Sequence, residues 1–165
     1  MNKKIYVIRH GKAESFGLVS GDYNRTLVPR GAAEAKQAGR ELKLRGAKPG
    51  LMVASPAPRA LYTLRLIASA MALDPEQIIT DESIYEGSLS DLLNLIRAFP
   101  DTAEEAFLCG HNPGVTELAG ALYGGYCGAI GTAGIIAFTI DSEHWRDAGI
   151  TSAHLDWQFN SNQRA

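Results

Sequence analysis

Four short apolar runs punctuate this chain, and helical-period segments separate them. The runs are Ile5-Tyr6-Val7-Ile8, Leu51-Met52-Val53-Ala54, Ile78-Ile79-Thr80 and Ala106-Phe107-Leu108-Cys109. The first and last read as buried strands, Leu51–Ala54 as a second strand and Ile78-Ile79-Thr80 as a short third strand candidate. A helix is expected from about Val28 to Arg45, with Pro29 suited to its first turn and Gly46 to its end. Its residues Ala32, Ala35, Gly39 and Leu42 put small groups on one face, which permits close packing on a sheet. A second helix carries Leu61, Leu64, Ile67, Ala68 and Met71. A third carries Leu89, Leu92, Leu93, Ile96 and Phe99, with Ser88 and Asp91 placed as a capping box. A fourth runs through Val115, Leu118, Ala119 and Leu122. Two last strands, Gly134 to Ile140 and Ala153 to Phe159, read as a hairpin-like pair near one edge. Strand and helix alternating over short links predict an α/β fold. It is a three-layer sandwich with a mostly parallel central sheet and helices on both faces.

The 165 residues contain no repeat, low-complexity tract or Ser/Gly linker, so one domain over 1–165 is expected. Sixteen basic and 18 acidic residues leave a net charge of −2, which argues against nucleic acid or an anionic membrane as partner. Only four apolar residues follow Met1-Asn2-Lys3-Lys4 before Arg9, too few for a signal-peptide core, and no stretch approaches a membrane span. Cys109 and Cys127 form no CxxC pair, and Cys109 reads as a small packing residue. A cytoplasmic location is the default expectation.

Chemistry concentrates where strands turn into helices. Arg9-His10-Gly11 ends the first strand, where open α/β sheets place their ligands. A guanidinium grips phosphoryl oxygens in pairs, and its charge disfavours protonation of the imidazole, leaving a lone pair for attack. Arg59 stands in the first turn after Ser55-Pro56-Ala57-Pro58, and His111 directly precedes Asn112-Pro113. Asn112 suits an N-cap and Pro113 a first helical residue, which sets His111 beside a helix N-terminus that attracts anions. Each residue alone reads equally well as a surface charge or a satisfied polar group. Together, if the strands are neighbours, they form a cationic pocket.

The segments Arg9-His10-Gly11, Ser55-Pro56-Ala57-Pro58-Arg59-Ala60 with Thr63, and Gly110-His111-Asn112-Pro113 resemble the signatures of the histidine phosphatase superfamily, the phosphoglycerate mutase-like fold. The stretch Asp22-Tyr23-Asn24-Arg25-Thr26-Leu27, followed by Gly31, resembles the SixA-type phosphohistidine phosphatases within it. The resemblance implies His10 as the nucleophile, forming a phosphohistidine intermediate that water hydrolyses. Arg9 and Arg59 would clamp the phosphoryl oxygens and His111 would add a hydrogen-bond donor. Arg25 would bind phosphate or substrate, or form a salt bridge within its own loop. No metal and no cofactor are implied, because cationic side chains neutralise the charge. Superfamily members acting on alcohol phosphates use an acidic residue to protonate the leaving oxygen. By position Glu86 is the foremost candidate, ahead of Glu14 and Asp22, although an exposed loop glutamate is an equal reading of Glu86. A phosphoramidate relaxes this need, because protonated phosphohistidine expels a neutral imidazole whose conjugate acid has a pKa of about 6.5.

Little chain between Arg59 and His111 is left over for insertions covering the pocket, so an open site is expected. That suits a phosphorylated side chain on a protein, such as a histidine phosphotransfer domain; a small phosphate ester is the alternative. A mutase, and a non-catalytic phosphate-binding module, fit less well. His144 and His154 are expected in structural or exposed roles, and Trp145 and Trp157 packing an edge. The glycine-rich stretch Gly124–Gly134 reads as a flexible loop at the pocket rim, with Thr132 near the pocket, and Asn160–Ala165 as a frayed end.

Overall fold

The computed structural model describes residues 2–15, 21–150 and 152–161. Six strands form one sheet: β1 (Lys3–Arg9), β2 (Leu51–Ala54), β3 (Ile79–Thr80), β4 (Glu105–Gly110), β5 (Ile135–Ile140) and β6 (Ala153–Phe159). Their order is β3-β2-β4-β1-β5-β6. The pairs β3–β2, β2–β4 and β4–β1 are parallel, while β1–β5 and β5–β6 are antiparallel. The sheet is mostly parallel, with an antiparallel pair along one edge, as the sequence pattern predicts.

Side chains alternate across a strand, and β1 shows how this builds two cores. Ile5 and Val7 face one side, where Leu92, Leu93 and Ile96 of α4 (Leu89–Arg97) pack with Val115, Leu118 and Leu122 of α5 (Gly114–Tyr123). Tyr6 and Ile8 face the other, against Ala38 and Leu42 of α1 (Pro29–Leu44) and Leu64 and Ile67 of α2 (Pro58–Ala70). Both runs of apolar side chains are almost fully buried. The molecule is the expected three-layer α/β sandwich. A single turn of helix, α3 (Ser83–Glu86), precedes α4.

The local signals act as chemistry dictates. Pro29 opens α1, and Gly46 follows its end at φ +78°. Ser88 and Asp91 form the predicted reciprocal capping box of α4. The small face of α1 meets α2 as well as the sheet, since a Cβ at Gly39 would stand 2.7 Å from that of Ala70. Its buried stripe also contains a carboxylate, Glu34, which the sequence pattern did not flag.

Two expectations need correction. The fourth long helix starts one residue later than predicted: Pro113 occupies the N-cap, and Asn112 lies outside the helix. The Asn112 side chain is drawn elsewhere, accepting from Thr116 Oγ1 at 2.6 Å and donating to the Ile130 carbonyl at 2.9 Å. Trp145 is not an edge residue. It is wholly buried, donating Nε1–H to the Ala103 carbonyl at 2.8 Å and meeting Phe99 edge-on. Trp157 on β6 does pack at an edge, tilted against Tyr6 and covered by the Arg45 guanidinium. His144 pairs with Asp101 at 2.9 Å, and His154 is exposed. Part of the loop from Lys12 to Thr26 (16–20) and the end of the chain (162–165) fall outside the described residues.

Candidate active site

The C-terminal ends of β2, β4 and β1 are neighbours, and each releases one strand-to-helix junction on the same side. They bring Arg9, His10, Arg59 and His111 to one pocket of ≈ 540 Å³, lined also by Lys12, Asp22, Arg25, Tyr85, Glu86, Asn112 and Thr132. Every site residue singled out from the sequence therefore lies at this pocket, apart from Glu14, which is not among its lining residues. Glu14 instead accepts the backbone N–H of Thr26 at 3.0 Å.

Nearby backbone and side chains orient His10. Its Nδ1 lies 2.6 Å from the Gly11 carbonyl, which can only accept, so the proton sits on Nδ1 and Nε2 carries the lone pair. Burial pushes the His10 pKa down to about 4, and the charges of Arg59, Arg9 and Arg25 act in the same direction. Desolvation, rather than the arginine charge expected from the sequence, is the larger cause. The next residue is fixed as well. Gly11 N–H donates to Thr63 Oγ1 at 2.9 Å, and that hydroxyl donates to the Arg59 carbonyl at 2.7 Å. Thr63 lies one helical turn beyond Arg59 on α2, so this turn holds both the guanidinium and the loop after the histidine. Glycine is required where that loop meets α1, because a Cβ on Gly31 would stand 2.0 Å from the Lys12 carbonyl oxygen.

Arg59 is 3% exposed. It donates to the Asp22 carbonyl and carboxylate, both at 2.8 Å. Arg25 donates Nε–H to Asp22 Oδ1 at 3.0 Å and pairs through its second terminal nitrogen at 2.8 Å. The Tyr85 hydroxyl donates to Asp22 Oδ2 at 2.9 Å. Both carboxylate oxygens are thus occupied twice. Burial opposes ionisation of Asp22, yet Tyr85, Arg59 and Arg25 prevail and hold its pKa down to about 2. Such a carboxylate keeps no proton to give, which removes Asp22 as a general acid. Of the two readings of Arg25, the loop salt bridge is formed, and the residue lines the pocket too. Glu86 ends α3, exposed and at the pocket wall.

Arg9 donates to the Ile130 carbonyl at 3.2 Å, so the glycine-rich segment before β5 forms the rim, as expected. Glu34 accepts from the Lys12 N–H at 3.0 Å and from Thr132 Oγ1 at 3.1 Å, bridging the loop after β1 to that rim. Its only sequence signal is a carboxylate inside the buried stripe of a helix. The His111 ring lies tilted beside that of His10, centroids 5.2 Å apart, and meets Tyr85 edge-on, and its Nε2 lies 2.8 Å from Ser55 Oγ. Burial drives the His111 pKa down to about 3, assisted by His10 and Arg59. Among the described residues, three buried nitrogens of these side chains have no hydrogen-bond partner: Arg9 Nε, Arg59 Nε and His111 Nδ1. Among the described residues no group of three or more His, Cys, Asp or Glu side chains is placed to hold a metal ion.

Residues 5–113, about two thirds of the chain, match the sequence model of the Histidine phosphatase superfamily (branch 1). The chain belongs to that superfamily. Relatives similar to it include two 2,3-bisphosphoglycerate-dependent phosphoglycerate mutases. That of Mesorhizobium japonicum is 33% identical over 97 residues, covering 58% of this chain and 47% of the relative. That of Brucella anthropi is 31% identical over 97 residues, with the same coverage. The matches thus span about half the length of these curated relatives. Among solved structures, the protein histidine phosphatase SixA complexed with tungstate superposes with a TM-score of 0.84 at 19% identity, covering 98% of this chain and 99% of that one. A mycobacterial glucosyl-3-phosphoglycerate phosphatase gives 0.69 at 14% identity, covering 94% and 98%. The fold is that of the SixA-type histidine phosphatases. No helix among the described residues is long and apolar enough to cross a membrane.

Proposed function

We propose that this protein is a metal-independent phosphatase that takes the phosphoryl group onto His10, with phosphohistidine on a protein as its substrate. The observation that carries the reading is the set of unpartnered buried nitrogens around a histidine whose Nε2 is free. Orphaned buried N–H groups are rare in folded proteins, and a cluster of them beside a nucleophile supports an anionic ligand. Arg9 and Arg59 supply cationic donors for the phosphoryl oxygens, in the role a metal ion fills elsewhere.

In the first step His10 Nε2 forms a bond to phosphorus while the bond from phosphorus to the substrate imidazole breaks. A proton on the distal nitrogen of that imidazole lets it depart neutral. Water then attacks phosphorus, the bond to His10 breaks, and inorganic phosphate leaves with His10 neutral again. The low pKa of His10 keeps it unprotonated and competent throughout the neutral range. Glu86 at the pocket wall favours a second reading, a phosphomonoesterase in which it protonates an alcohol leaving group.

Side-by-side turnover of a phosphohistidine protein and p-nitrophenyl phosphate in EDTA tests the proposal. The expected result is hydrolysis that persists in EDTA, favours the phosphoprotein and disappears in His10→Ala. Absence of turnover of any phosphoramidate or phosphomonoester would overturn it.

A further inference from the structure

The geometry points to Ser55 as a positioning residue that holds the single proton of His111 on Nδ1, making this ring a hydrogen-bond donor to the phosphoryl group. The inference rests on the reading of the pocket as a phosphoryl site. Ser55 follows β2, is 0% exposed, and its hydroxyl meets two groups. The Ala57 backbone N–H donates to Oγ at 3.2 Å, and His111 Nε2 lies 2.8 Å away. An amide N–H only donates, so the hydroxyl accepts there and its own proton remains to be placed.

Two arrangements are possible. If Nε2 carried the proton, the Ser55 hydroxyl would accept twice and its own proton would point at nothing, while His111 Nδ1 would be an unpaired acceptor. If instead Ser55 donates to Nε2, one chain of bonds satisfies everything on that side of the ring: Ala57 N–H to Ser55 Oγ, then Ser55 O–H to His111 Nε2. The proton of the neutral ring then resides on Nδ1. The second arrangement strands one group rather than two, a preference on the order of tenfold or more inside a protein. The ring is neutral at ordinary pH because burial depresses its pKa.

The neighbouring orphans agree. Arg9 Nε and Arg59 Nε are donors by necessity, since a guanidinium has no acceptor. A lone pair on His111 Nδ1 would present negative density to the anion those two are set to receive. A proton there makes it a third donor of the same kind. Sequence and site are connected by this logic: the five residues Ser55-Pro56-Ala57-Pro58-Arg59 deliver both a cation and the tautomer of a histidine 52 positions beyond Arg59.

The test is the long-range ¹H–¹⁵N correlation spectrum of uniformly ¹⁵N-labelled protein at neutral pH, which distinguishes the two neutral tautomers, with His111 assigned by its loss in His111→Gln. The wild type is expected to show His111 protonated on Nδ1, and addition of inorganic phosphate is expected to shift that nitrogen. In Ser55→Ala the ring is expected to move to a mixture or to Nε2–H. A wild-type ring protonated on Nε2, or a folded Ser55→Ala protein with an unchanged pattern, overturns the inference. Kinetics give a second readout. Ser55→Ala is expected to lower kcat about 10–100-fold, as when a partner that orients an active-site imidazole is removed. In a His111→Ala background it should cost less than about twofold, because the effect passes through that ring. Equal losses in both backgrounds refute it. A wild-type protein without turnover would sink the phosphatase reading while the spectrum still decides the tautomer.

Discussion

An acid-induced loss of stability can be assigned to His10 in advance. In the unfolded chain this imidazole binds a proton near pH 6.5; in the folded protein, where burial and three arginines oppose the charge, it does so only near 4. Between those values the unfolded state holds more protons, so stability falls as pH falls. Above about pH 6.5 both states are neutral and the effect vanishes. Integrated from about pH 7.5 to about pH 5, this one group costs about 2 kcal/mol, a midpoint shift of roughly 1 M urea. His111, depressed to about 3, acts in the same direction. The perturbation is His10→Asn, which removes the titration and keeps an amide able to donate to the Gly11 carbonyl. Urea unfolding of wild type and variant at the two pH values isolates the effect, because every other titrating group is common to both. The wild type is expected to lose about 2 kcal/mol more than the variant over that span. Equal losses would mean that the buried ring takes up its proton without penalty, and the account of a neutral nucleophile would fail.

Other consequences can be checked directly. Glu86→Gln is expected to lower hydrolysis of a sugar phosphate by about 100-fold or more while changing turnover of phosphohistidine, and of p-nitrophenyl phosphate with its good leaving group, little; similar losses on all substrates would show that Glu86 is not a leaving-group acid. Gly31→Ala places a methyl group 2.0 Å from the Lys12 carbonyl oxygen. Thermal unfolding should report a destabilisation of about 1–3 kcal/mol, accompanied by reduced turnover, since Lys12 lies two residues from His10; unchanged stability would show that the loop moves freely.

The parallel part of the sheet was legible because β1, β2 and β4 are continuous apolar runs ended by turn residues, and the spacing of Leu92, Leu93 and Ile96 leaves little choice but a helix. The four junction residues were legible for the same reason: a side chain at a strand end is placed by the strand. What could not be read was contact across the chain. Asp22 reaches Arg59 over 37 positions, and Glu34 reaches Thr132 over 98. In each case the local sequence offers only a carboxylate, and whether it acts as acid, salt bridge or strap depends on which distant donor arrives. Asn112 shows the same limit at close range. Its propensity to cap a helix lost to Thr116 and the Ile130 carbonyl, partners that the fold supplies. Trp145 was misplaced because burial of an indole depends on the helix that covers it, and its own strand-free segment gives no period to read.

The doubly occupied carboxylate of Asp22 gives the cationic pocket a counter-ion of its own. Guanidiniums gathered in one pocket repel one another, and without an internal partner they would swing out into water. Here Arg59 and Arg25 stay tethered to one residue, itself held by the hydroxyl of Tyr85. In the proposed reaction these cations would keep their spacing as phosphate departs, and a second phosphoryl group would meet an array already assembled rather than one it must organise.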